Sequence, residues 1–265
     1  MLQIREYIRA SSLDEAYELN QKKSNIIIGG MHWLKMGNRR VNAAVDLSGL
    51  GLDEITETED DFEIGCMVSL RQLERHEGLN RYTQNAVKEA LKDIVGVQFR
   101  NTATIGGSIY GRYGFSDVLT VFMALDTYVV CHKAGKVPLR EFAGRKPDRD
   151  IIVKIIVNKK PVNISYMAQR HARTDFPILT CAVSFIDGKW QAAVGARPAR
   201  AELVPDDESI IASGVRVSKE EAAAFGNYVA QQLSFGTNMR GSAEYRRQIA
   251  AVLVRRAVLK AGGER

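Results

Sequence analysis

The amino-acid sequence predicts an α+β protein in two parts, and three observations carry that prediction. Over the first 160 residues, short β-branched runs alternate with short helices opened by hydroxyl caps. Beyond Pro161 the pattern changes to longer apolar runs, two of them joined by Asp187-Gly188, the mark of an antiparallel meander. The C-terminal stretch reads as two helices, over 219–233 and 242–261, stopped by Gly262-Gly263. The domain boundary is therefore placed near residue 160, with an N-terminal domain over 1–160 and a smaller C-terminal α+β domain of antiparallel strands and helices over 161–265.

Taken in order, Ser12-Leu13-Asp14-Glu15 has the capping-box form and opens a helix to about residue 23. A short strand over 25–28 ends at Gly29-Gly30, a brief helical turn follows over 31–36, and strands are expected over 41–47 and 61–68. Ser69 with Gln72 repeats the capping box and starts a short helix to about residue 76. One helix is read over 80–94, with Ala86, Ala90, Leu91 and Ile94 on one side. The runs 95–100 and 102–109 surround a second pair, Gly106-Gly107. Ser116 caps a helix to about residue 125, and strands follow over 127–131 and 151–157, separated by a loop-like stretch that is ordered only over 137–142. The C-terminal domain opens with strands over 162–171, 177–186 and 189–196.

The composition is that of a globular protein: 265 residues, 45% hydrophobic and 26% charged. No apolar run approaches the length of a membrane span, and the N-terminus carries charges where a secretion signal needs an apolar core, so the expected location is cytoplasmic. The net charge of +6 is scattered, and its C-terminal share, over 245–265, has helical spacing. That pattern describes a solvated helix face and not a nucleic-acid surface. Cys66, Cys131 and Cys181 lie in apolar runs and read as small core residues; with four isolated histidines and no CxxC or HxxxH spacing, no metal site is expected. No catalytic acid–base pair is visible. Glu57, Glu59, Asp60 and Asp61 form an acidic run that reads as a solvated loop.

The two glycine pairs carry the chemistry. Consecutive peptide N–H groups without a Cβ let the backbone approach an anion closely, and a following helical turn adds its dipole. The segment NIIIGGMHWLK has this layout, and TATIGGSI supplies a second pair with hydroxyls at Thr104 and Ser108. Each pair alone also fits a tight turn. Together they point to a nucleotide diphosphate gripped from two sides, although neither GxGxxG nor GxxxxGK[ST] is present.

The segments IIIGGMHWLKMGN and VDLSGLGLDEI resemble the first FAD-binding signature of the flavoprotein subunits of molybdenum hydroxylases, the medium chains of carbon monoxide dehydrogenase and xanthine dehydrogenase-type enzymes. VGVQFRNTATIGGSI, then Ser116-Asp117 and VFMALDTYVV, is similar to the second signature, and RTDFPILTCAVSF, ARPARA and RGSAEYRRQIAAVLVRRAV resemble the C-terminal domain. The resemblance covers essentially the whole chain, with its segments in the right order.

It implies an FAD bound in extended form by two α+β subdomains. Gly29, Gly30, Met31, His32 and Trp33 would line the diphosphate through their backbone, and Thr104, Gly106, Gly107 and Ser108 would hold its other side. Asp117 falls where the family binds the ribose or phosphate region, its other reading being charge compensation at a helix start. Ile152 matches an aliphatic position near the flavin, or plain core burial. The chain departs from the family at His32, where a small polar residue is usual, at Ser108, where Asn is usual, and near Gly114-Phe115, which often carries Pro. His32 is read either as an added donor or as an exposed loop residue, and Met167 stands where relatives carry a lysine, so no role passes to it. The cysteine-bearing loop with which some relatives hold an extra cluster has no counterpart.

The implied function is electron transfer: from an iron–sulfur partner subunit, fed by a molybdenum-cofactor subunit, through FAD to NAD+ or another acceptor. The alternatives are a stand-alone flavin oxidoreductase of the same fold and a flavin-less assembly subunit.

Overall fold

The computed structural model describes residues 1–212 and 214–263; Glu264 and Arg265, the end of the basic C-terminal stretch, lie outside the described residues. Along the chain run β1 (Gln3–Arg9), α1 (Leu13–Gln21), β2 (Ile26–Ile28), a 3-10 turn (Leu34–Met36), β3 (Arg40–Asp46), β4 (Ile55–Glu57) and β5 (Asp61–Gly65). Then come α2 (Leu70–Arg75), α3 (Glu77–Tyr82), α4 (Ala86–Leu91), α5 (Val97–Thr102), α6 (Ile105–Gly111) and α7 (Asp117–Met123). They are followed by β6 (Thr127–Cys131), β7 (Gly135–Pro138), α8 (Leu139–Gly144) and β8 (Ile152–Asn158). The C-terminal part adds β9 (Val162–Gln169), β10 (Leu179–Ile186), β11 (Lys189–Gly195), β12 (Glu202–Pro205), α9 (Lys219–Gln232) and α10 (Ala243–Gly262). Among the described residues no helix is long and apolar enough to cross a membrane.

These elements form two compact units interleaved in sequence. The first comprises Met1–Gln72, Val97–Gly111 and Thr127–Val157; the second comprises Leu73–Gly96, Arg112–Asp126 and Asn158–Arg265. In the first unit β1, β3 and β2 lie in that order as a parallel sheet. A five-stranded sheet ordered β4-β5-β8-β6-β7 holds the rest of its core, with β6 antiparallel to β8 and β7. Strand β1 escapes a pattern reading because it is an edge strand with almost every residue exposed, so its sequence mixes charged and apolar residues without a continuous apolar face.

The second unit is a four-stranded antiparallel meander, β12-β11-β10-β9, covered on both faces. Leu179, Cys181 and Val183 of β10 join the core built on α9 and α10, whereas Thr180 bonds Thr120 at 2.8 Å and the Ser184 hydroxyl donates to the Ala124 carbonyl. Alternation along β10 thus feeds two layers, which is why the strand reads as an unbroken buried run. Helix α7 is buried at all seven positions. At the hairpin, Asp187 and Gly188 have φ of 51° and 75°, the left-handed pair that a two-residue primed turn requires.

Both early capping signals form. Ser69 and Gln72 exchange bonds reciprocally, and Ser12 accepts from the Glu15 N–H while the Glu15 carboxylate accepts from Ser11 and not from Ser12. The helix expected over 80–94 is broken into α3 and α4, because Gln84 and Asn85 take φ of 50° and 66° and the Thr83 hydroxyl closes the first piece on the Leu79 carbonyl. The runs around the second glycine pair are likewise helices, α5 and α6.

Helices α9 and α10 meet at Gly226, where an added Cβ would lie 2.5 Å from the Ala251 carbonyl oxygen. Gly226→Val should therefore destabilise the protein by about 1 to 3 kcal/mol, the usual cost of overpacking, read as a lower urea midpoint. An unchanged midpoint would show that the two helices separate without cost.

Candidate cofactor site

Strand β2 delivers Gly29-Gly30 against residues 102–104, so the two segments that the sequence separates are neighbours inside the first unit. A Cβ on Gly30 would lie 2.2 Å from the Thr102 carbonyl oxygen, and one on Gly29 would lie 2.7 Å from the Thr104 hydroxyl. Glycine is required here by close approach and not by φ, since the left-handed residue of the turn is Met31, at 58°. Among the described residues, the amides of Gly29, Gly30, Met31 and His32 donate to no protein acceptor. Four successive donors at a strand end are an anion-binding backbone. Trp33 follows as the N-terminal flank of the 3-10 turn, and the Met31 carbonyl accepts from Lys35.

The His32 ring is held against the opposing segment. Its ring stacks on Phe99, with centroids 3.9 Å apart, and Nε2 lies 2.8 Å from the Thr102 hydroxyl. The Thr102 hydroxyl also has the Phe99 carbonyl within 3.3 Å, so ring, hydroxyl and carbonyl form one local cluster. Burial, followed by the charge of Lys35, lowers the histidine's pKa and keeps the ring neutral at pH 7.

The second glycine pair is built differently. The amides of Ile105 and Gly106 donate to the Val68 and Cys66 carbonyls at 2.9 Å, and those of Gly107 and Ser108 donate to the Thr104 hydroxyl and carbonyl. Their donors are engaged within the chain, which corrects the expectation that Gly106, Gly107 and Ser108 offer a second row of free N–H groups. Gly106 is a packing glycine, since its Cβ would lie 2.6 Å from the Cys66 carbonyl oxygen. Gly107 is exposed and less crowded, an added Cβ meeting only the Thr104 hydroxyl, in a tight contact of 3.1 Å. Thr104, with its hydroxyl beside Gly29 and its carbonyl accepting from the Ser108 hydroxyl, ties the two pairs together.

Asp117 starts α7 in the second unit and is 5% exposed. Its Oδ1 accepts from Arg170 at 2.5 Å and from the Tyr166 hydroxyl. Burial pushes its carboxyl up to about 6 against the opposing pull of Arg170 and Tyr166. The carboxylate is thus committed to a buried ion pair as well as to its helix start, a constellation that local sequence could not show. Ile152, 6% exposed, sits in β8 opposite Cys131 as part of the sheet core. All three cysteines are free and buried, with Cys66 pushed up to about 12 by desolvation.

A glycine cradle tight enough to exclude any Cβ, topped by unpaired backbone donors and a threonine hydroxyl, has the chemistry a dinucleotide diphosphate needs. This is a nucleotide-binding α+β protein. Residues 2–159 match the family of FAD binding domains in molybdopterin dehydrogenase, residues 164–261 match the CO dehydrogenase flavoprotein C-terminal domain, and the chain belongs to this family. It is an oxidoreductase flavoprotein of the molybdenum hydroxylase family, and its cofactor is FAD.

Among curated proteins it is similar to the nicotine 6-hydroxylase medium subunit of Paenarthrobacter nicotinovorans, 25% identical across 97% of this chain and 96% of that one. Among solved structures it shares its fold with quinoline 2-oxidoreductase of Pseudomonas putida 86, at a TM-score of 0.84 and 19% identity over 97% of this chain and 96% of that one. Carbon monoxide dehydrogenase of Hydrogenophaga pseudoflava gives 0.84 at 22% identity with the same coverage of 97% and 96%.

Asp117→Ala leaves the Arg170 guanidinium buried without its counter-charge and should destabilise the protein by about 3 to 5 kcal/mol in chemical denaturation. Asp117→Asn keeps an oxygen acceptor and should lose less. Equal stability of both variants and the parent would show that the pair is not structural.

Proposed function

We propose that this chain is the FAD-carrying electron-transfer subunit of a multi-subunit molybdenum hydroxylase. Electrons enter from the iron–sulfur centres of a partner subunit, which a molybdenum-cofactor subunit supplies, and leave to NAD+ or another acceptor, in the cytoplasm. The FAD-binding domain spans 1–160 and the C-terminal domain 161–265. The observation that carries the reading is the run of four unpaired amides, Gly29 to His32, set against Thr102–Thr104 in the stretch that matches the FAD-binding family. Similarity to a protein named as the medium subunit of a hydroxylase supports a place among partners.

When bound, FAD supplies the redox chemistry through its isoalloxazine ring, and the protein supplies binding and orientation. In this reading the Gly29, Gly30, Met31 and His32 amides hold the diphosphate, with Trp33 closing that turn. The His32 ring, fixed on Phe99 and Thr102, holds the turn in place. Thr104 presents its hydroxyl, while Gly106, Gly107 and Ser108 shape the opposite wall without donating from their backbone. Asp117 acts through the unit it stabilises, and Ile152 contributes an aliphatic wall.

Gly107→Val is the cleaner probe of the site, since Gly30→Val drives its side chain into the Thr102 carbonyl whether or not cofactor is present. Gly107→Val should fold normally and lose at least tenfold in FAD affinity, measured by quenching of flavin fluorescence. Unaltered FAD affinity in that variant would remove the second wall from the site.

The purified chain should carry FAD, visible as flavin absorption and released on denaturation. It should oxidise no aldehyde or purine by itself and should co-purify with iron–sulfur and molybdenum subunits when expressed from its native host. A colourless chain that rejects added FAD supports the assembly-subunit alternative. Steady turnover of an organic substrate by the isolated, metal-free flavoprotein supports the stand-alone enzyme.

A further inference from the structure

The second unit contains a cavity of about 280 Å³ lined by Phe115, Phe176, Pro177, Pro198, Asn238 and Arg240, with the backbone of Gly114 and Ala196 between them. Its walls are aromatic. Phe115 stacks on Tyr113 with an interplanar angle of 9° and meets the edge of Phe176 at 4.7 Å. The Arg240 guanidinium lies 4.9 Å from the Phe176 ring centroid, and its Nε is buried without a hydrogen-bond partner. A buried, unpaired guanidinium N–H is a costly group that calls for an acceptor.

Asn238 provides a second donor. Its Oδ1 already accepts from the Arg240 backbone N–H at 2.9 Å and from Arg246 Nη2 at 2.6 Å. That fixes the amide orientation and leaves Nδ2, which has no acceptor among the described residues, as the free end. No carboxylate lines the cavity, so its electrostatics favour an anion. The volume falls just under the range of ordinary small-molecule pockets and admits one or two fused rings.

We propose that this cavity is a binding site for a small planar organic anion, an aromatic or heteroaromatic carboxylate, with its ring against Phe115 and Phe176 and its acid group on Arg240 and Asn238. The site goes beyond the FAD reading and does not rest on it, being made entirely of second-unit residues.

The test titrates the full-length chain with benzoate and with benzamide, which share a ring and differ in charge, at low ionic strength by calorimetry. Benzoate should bind saturably and at least tenfold more tightly than benzamide. Arg240→Gln should weaken benzoate at least tenfold and leave benzamide unchanged, with an unaltered circular dichroism spectrum. Phe176→Leu should weaken both. If Arg240→Gln fails to fold, the comparison of the two probes on the unmodified chain decides alone. Absence of saturable benzoate binding, equal affinity for the two probes, or full benzoate affinity in a folded Arg240→Gln variant overturns the proposal.

Discussion

At Gly30 the chain passes so close to the Thr102 carbonyl that no side chain fits, and the cofactor reading depends on that contact. It fixes where β2 must end and places the turn with free amides beside the Thr104 hydroxyl. The opposing segment is held just as firmly. Leu70 donates to the Ala103 carbonyl and Ile105 to that of Val68, and Gly106 packs on Cys66, so α5 and α6 are tied to the chain that leaves β5. Rigid support on one side lets the other remain a loop with unmet donors, the arrangement a binding site needs.

The two glycine pairs, alike in sequence, therefore do opposite work. The first keeps its N–H groups unpaired. The second satisfies its own inside the fold and contributes the absence of side chains. His32 adds a local device by lying on Phe99 and hydrogen-bonding with the Thr102 hydroxyl, which pins the turn from the same side that the glycines crowd. In the second unit the corresponding constraint is buried charge. Arg246, 1% exposed, donates to the carbonyls of Ile178, Gly236 and Gly241 and to Asn238, while Arg170 answers Asp117. Both cations fix loops that local propensity leaves undetermined.

Much of the fold was legible because local rules and packing agree. The capping pair Ser69–Gln72, the Asp187-Gly188 turn and the fully covered β10 all follow from residue type and period. Strand β1 was not legible, since an exposed edge strand needs no apolar face, and the 80–94 helix was overread because left-handed residues at Gln84 and Asn85 leave no periodic trace. The basic C-terminal stretch is largely the solvated face expected, with Arg247, Arg255 and Arg256 exposed, but Arg246 turns inward, which only its carbonyl partners explain. The glycine pairs were visible as motifs. Which of them retains free donors was not, because Gly106 is engaged by Cys66, far away in sequence, and Gly107 by the Thr104 hydroxyl only once the chain there turns into a helix.

The most direct measurement is amide hydrogen exchange, resolved by residue, on the chain with and without FAD. Without cofactor, Gly106 and Gly107 should already be protected by their internal bonds, whereas Gly29, Gly30, Met31 and His32 should exchange as open amides. Saturation with FAD should slow exchange across residues 29–32 and change little at 106–107. Exchange at residues 29–32 that stays fast when FAD is bound, or protection gained at 106–107 instead, would contradict the account.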